Sequence, residues 1–131
     1  MSASNYLEES VLNHFFRNSS VASPAKVYVA LYISDPTDND TGTEITGNEY
    51  QRQEATFSAT TQINGKATIQ NTSEIRFPTA TANWGVVTHF GIRTALIGGN
   101  LLAYGAVPVG KLIESGDEAK FNVNTLIVSM D

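Results

Sequence analysis

Val27-Tyr28-Val29-Ala30-Leu31-Tyr32-Ile33 is the stretch that decides the fold. It is continuously apolar and rich in β-branched and aromatic side chains, which suit a pleated surface. With both faces apolar, it predicts a central strand covered on two sides. Lys26 precedes it and Asp35-Pro36 stops it. The residues that follow, about 35–49, are rich in Asp, Asn, Thr and Gly and read as an acidic loop. Beyond the loop, shorter strands are expected at Tyr50 to Phe57, Lys66 to Gln70, Glu74 to Phe77, Val86 to Thr94, Leu101 to Val107, Glu118 to Val123 and Thr125 to Met130. Asn64-Gly65, Asn71-Thr72-Ser73, Pro78, Gly98-Gly99-Asn100, Pro108, Ser115-Gly116-Asp117 and Asn122 to Asn124 supply the turns. Some eight short antiparallel strands fit a β-sandwich of jelly-roll type.

Upstream of the decisive strand the period changes. Leu7, Val11 and Phe15 recur at every fourth residue, and Leu12 and Phe16 repeat the spacing beside them. This predicts one short N-terminal helix over about 5–18, with a broad apolar stripe. Asn5 is the expected N-cap, with Glu8 at the capping-box spacing. The stripe is wider than a short surface helix needs to dock on one sheet, so part of it is expected to meet another subunit.

The 131 residues suit a single domain, 1–131, with enough chain to bury a core. Cysteine is absent, so disulfide and thiolate chemistry are excluded. No apolar run approaches membrane-spanning length, and Met1 to Asn5 lacks a basic, signal-like start. A soluble protein made in the cytoplasm is the expectation. The net charge of −5 resides in residues 1–65, which carry eight acids and three bases; residues 66–131 carry five of each. No two of the eight basic residues adjoin, which argues against nucleic-acid binding.

Candidate sites are sparse. In the acidic loop, Asp38, Asp40 and Glu49 fall at EF-hand positions 1, 3 and 12, but Gly42 lies one place early and no helices flank the loop. The expectation is therefore no metal, and a loop whose Asp38, Asp40 and Glu44 adapt to a neighbouring protein. Two histidines, His14 and His89, without cysteine make a poor zinc site. His89 is expected on one strand face with Val87 and Gly91, opposite Phe90 and Ile92. Neither a nucleophile elbow nor a phosphate cradle is present, so no enzyme and no cofactor are expected. Tyr28, Tyr32, Tyr50, Tyr104 and Trp84 read as core and core edge in preference to a sugar platform, with Trp84 closing one end. The candidate protein-interface residues are Leu7, Val11, Leu12, Phe15, Phe16, Asp38, Asp40 and Glu44.

A set of motifs spans nearly the whole chain in order. Asn5-Tyr6-Leu7-Glu8 opens the helix, and Val27 to Tyr32 is followed by Asp35-Pro36-Thr37. Then come Thr41-Gly42-Thr43-Glu44, Tyr50 with Arg52, and Phe77-Pro78 leading to Trp84-Gly85. Thr88-His89-Phe90-Gly91-Ile92, Gly98-Gly99-Asn100-Leu101-Leu102 and Tyr104-Gly105 complete it. The set resembles small tailed-bacteriophage virion proteins often labelled "phage tail fibre protein". Asn48-Glu49 departs from that family, which tends to glycine there. The resemblance implies a virion structural protein. Fibres gain length from heptads, collagen-like repeats or repeated strands, and this chain has none. The leading expectation is therefore a capsid decoration or cement protein, resembling jelly-roll cement proteins, that bridges major capsid subunits as a homo-oligomer. The alternative is a tail-fibre, tail-tip or baseplate component that attaches to the host. A glycan-acting phage enzyme is the third reading.

Overall fold

The computed structural model describes residues 1–131. Along the chain run β1 (Ser2–Ala3), α1 (Asn5–Phe16), β2 (Val27–Tyr32), β3 (Gln53–Ala55), β4 (Thr61–Ile63) and β5 (Lys66–Gln70). They are followed by β6 (Ile75–Arg76), β7 (Gly85–Arg93), β8 (Leu101–Ile113), β9 (Lys120–Phe121) and β10 (Ile127–Met130). The fold is mainly β and sandwich-like. It has ten strands where eight were expected, because β1 is too short and β4 too polar to show in the pattern.

The main sheet is antiparallel in the order β1-β8-β7-β2-β3. The decisive stretch lies inside it. Val29 and Leu31 point into the core, at 0% and 2% exposure, and Ala30 and Tyr32 on the other face are equally buried. Facing Val29 and Leu31 are Ile75, Phe77, Trp84, Ile113 and Leu126. The short β6–β9 ladder helps close this layer, with Phe121 edge-on to Phe90 at 5.7 Å. Trp84 belongs to the core, T-shaped on Tyr50 at 5.5 Å, and its indole N–H donates to the Asn48 carbonyl. A third sheet, β10-β5-β4, joins the end of the chain to the Asn64-Gly65 hairpin.

Four local expectations are corrected. The N-cap is Ser4, whose hydroxyl accepts from the Leu7 N–H; Asn5 is already helical. The helix ends at Phe16, because Asn18 turns left-handed with φ 56°. Pro108 does not end a strand: β8 runs through it to Ile113. The ladder to β7 shifts register between the Val87 and His89 pairs, and proline, with no N–H to donate, sits in that gap. The same shift breaks the expected alternation. Val87 is in the core and Phe90 packs against it, so the two share a face.

Candidate functional site

Two surfaces stand out: the face of α1, whose start is anchored to β8, and a cluster in which the acidic loop meets the β7–β8 hairpin. Helix α1 is held at its start. The Ser4 hydroxyl donates to the Leu101 carbonyl, the Ser4 N–H donates to Leu102 O at 2.9 Å, and the Asn5 N–H to Asp38 O at 2.9 Å. Beyond that point it stands away from the body, and no residue of α1 is buried. Leu7 and Val11 are half-buried along a groove of about 620 Å³ closed by Val21 to Pro24, Thr94 and Leu102. Leu12, Phe15 and Phe16 are 58%, 75% and 79% exposed. These three side chains leave a contiguous apolar face on the solvent side of the helix.

The second surface is a rigid loop cluster clamped by two arginines. Arg52 grips the Glu44 carboxylate with both arms of its guanidinium, at 2.8 and 2.7 Å. Its remaining nitrogen donates to the Ala95 and Gly98 carbonyls, each at 2.8 Å. Arg93 donates to Asp40 at 2.7 Å, to the Tyr32 hydroxyl at 3.0 Å and to the Gly99 carbonyl at 3.1 Å. The Tyr50 hydroxyl completes the cluster by donating to Glu44 at 2.7 Å and accepting the Leu31 N–H at 3.0 Å. Both arginines thus tie the acidic loop to the β7–β8 hairpin, whose tip presents Ile97 at 86% exposure. Left-handed Gly98 and Gly99 make the hairpin turn, and a Cβ on Gly99 would lie 2.7 Å from Thr94 Oγ1.

Charge settles accordingly. Burial pushes the Tyr50 hydroxyl far above its ordinary value, and its bond to Glu44 adds to this. Burial likewise raises Tyr32, against the pull of Arg93. The bond to Glu44 holds the Arg52 guanidinium protonated above its usual range. Burial opposes the charge on Arg93, but Asp40 and Tyr32 outweigh it. Tyr104 is raised by its bond to Asp38.

The expected interface residues therefore separate into two groups. Leu7, Val11, Leu12, Phe15 and Phe16 lie together on α1. Asp38, Asp40 and Glu44 engage their own chain, through Tyr104, Arg93 and Arg52 respectively. No three histidine or carboxylate side chains converge as a metal-binding group would require. His89 lies 3.9 Å from Asp35, and its other ring nitrogen meets Thr88 at 2.8 Å. The clamp residue Arg93 was not singled out by the sequence. Its signal was the alternation that puts it beside Tyr28 and on the Tyr32 face. Gly47, Asn48 and Glu49 all adopt positive φ, of 74°, 54° and 70°, a backbone conformation that glycine takes most easily. No helix is long and apolar enough to cross a membrane.

The chain belongs to the Podophage GP4 fiber I protein gp80 family, which it matches over residues 2–129. This is a phage structural family of fibre type. No curated protein matches the sequence.

Proposed function

We propose that this chain is a tail-fibre component of a phage particle, and that it works by docking the apolar face of α1 on a neighbouring virion protein. The family match, running over residues 2–129, favours a fibre over the capsid decoration role expected from the lack of elongated repeats. The observation that carries the docking role is the helix itself. It is fixed at its N-terminus by Ser4 and Asn5, yet leaves Leu12, Phe15 and Phe16 in solvent. Burying three such side chains would contribute roughly 1.5–3 kcal/mol each. The clamped hairpin at Ile97 offers a second, stiffer contact to the same assembly.

The test compares particles carrying the parent chain with particles carrying Phe15→Asp or Phe16→Asp. Because both rings are exposed, each variant should unfold within about 0.5 kcal/mol of the parent. Each should nevertheless fail to load onto particles. Copy number is read from the same virions by quantitative protein staining. A fibre component appears at a small multiple of the tail's symmetry and co-purifies with detached tails. Stoichiometry matching the major capsid protein would overturn the fibre assignment, and full loading of both variants would overturn the helix as docking element.

A further inference from the structure

Val107, Val109, Lys111 and Ile113 recur at every second residue of β8, and all four line a slot of about 250 Å³ between the main sheet and β9. Its floor is the core itself, since Leu31, Val87 and Ile113 are 2%, 5% and 1% exposed. Phe121 of β9 forms part of the opposite wall. The outer end is open, because β1 pairs with β8 only through Ala103 and Tyr104 and no strand follows it along that side. Val109 is accordingly 80% exposed. The slot shares no residue with the groove beside α1.

Two cations stand in this lining, Lys111 on β8 and Lys120 on β9. The rest of the lining is apolar and holds no carboxylate. Neither lysine is paired. The ion pairs of the chain engage Lys26, Arg52, Arg76, His89 and Arg93 instead. Glu118, the acid nearest Lys120 in sequence, is taken by Arg76 at 2.7 Å. In a chain of net charge −5, this is an apolar recess marked by positive charge alone.

We infer that this slot receives an anchor from a partner protein: one large apolar or aromatic side chain set in an acidic segment, whose carboxylates meet Lys111 and Lys120. Charge complementarity selects the sign of the segment. Size selects the anchor. At about 250 Å³ the slot is smaller than the roughly 300–1,000 Å³ that houses small ligands. It suits one buried side chain of the kind that dominates protein contacts. The apolar floor keeps the carboxylates at the rim, because a carboxylate over Leu31 and Val87 would lose its water without gaining a donor. Pairing of a foreign strand along the open side of β8 is disfavoured, since Pro108 has no N–H to offer and Lys111 places a charge there. The inference stands apart from the docking of α1, and either can fail alone.

The full chain, isotopically labelled, is titrated with the peptide Asp-Asp-Trp-Asp-Asp and followed through its backbone amide resonances. Shifts should be confined to residues 107–113 and 119–121 and to the floor of the slot. They should saturate at about millimolar peptide or below, and fade as salt rises. Asp-Asp-Ala-Asp-Asp, which lacks the anchor, and Lys-Lys-Trp-Lys-Lys, of opposite sign, should leave the same resonances unmoved. The double variant Lys111→Glu, Lys120→Glu alters only exposed residues, so it should keep the parent's unfolding midpoint. It should bind the acidic peptide at least about tenfold more weakly and accept the basic one. Silence with the acidic peptide overturns the inference, as does an equal response to all three peptides. Movement of these resonances on diluting the chain alone would mean that a second copy fills the slot, and would overturn the assignment to a partner. If the double variant unfolds, the contrast among the three peptides on the parent decides.

Discussion

Arg52 and Arg93 show how much of this surface depends on single side chains. Arg52 is 9% exposed and its partner Glu44 is 21% exposed, so the pair lies between a surface bridge and a buried one. Removing the guanidinium leaves a carboxylate poorly solvated and two carbonyls without donors. Arg52→Ala should therefore cost about 2–3 kcal/mol, below the 3–5 of a fully buried pair. Chemical denaturation of the variant checks this, and a loss under about 0.5 kcal/mol would mean the clamp is ornamental. The tyrosines give a second test. Tyr32 and Tyr50 are raised above their ordinary 10.0 chiefly by burial. The unfolded chain sheds these protons near that value while the folded chain keeps them. Their contribution is therefore complete below about pH 10 and is lost as pH rises beyond it. Alkaline unfolding followed in the ultraviolet should show their phenolate absorbance rising together with loss of structure. Smooth ionisation in a chain that stays folded would contradict the assignment.

At the scale of elements, β2 carries the stability and α1 carries little. Leu31 is 2% exposed between β7 and the facing core, so Leu31→Ala should cost about 2–5 kcal/mol. A melting temperature within a degree or two of the parent's, roughly the shift of a surface change, would make the strand peripheral. The main strands were legible because their burial is written in residue type. Val27 to Tyr32 could be read directly, and Lys66–Gln70 emerged with its own boundaries. Strand β4 was hidden because Thr61 and Gln62 are polar, although Asn64-Gly65 is a hairpin turn and implies a strand on each side. Ser4 was passed over as cap because Asn5 fits the same rule one residue later. On the candidate site, the apolar helix stripe was visible as a period. The arginine clamp was not, since it joins Glu44 to Arg52 and Asp40 to Arg93 across sheet topology that local spacing does not encode.

For the whole molecule, the acidity of the first half is put to structural use. Asp38 and Asp40 are occupied by Tyr104 and Arg93, and Asp35 accepts the Thr37 N–H at 2.9 Å. Calcium would have to displace these bonds. Calorimetric titration should therefore detect nothing tighter than about millimolar, the weak end of protein calcium sites. A micromolar site would mean that the loop rearranges around the ion. The order of the main sheet carries one more consequence. β2 is flanked on one side by β7, and β1 pairs with β8 through Ser2↔Tyr104 and Ala3↔Ala103. As the chain leaves the ribosome, its most apolar stretch must wait for some sixty further residues before that flank can form. Closing such long loops is slow. The nascent protein spends that interval with a sticky segment uncovered, when apolar strands are most prone to aggregate.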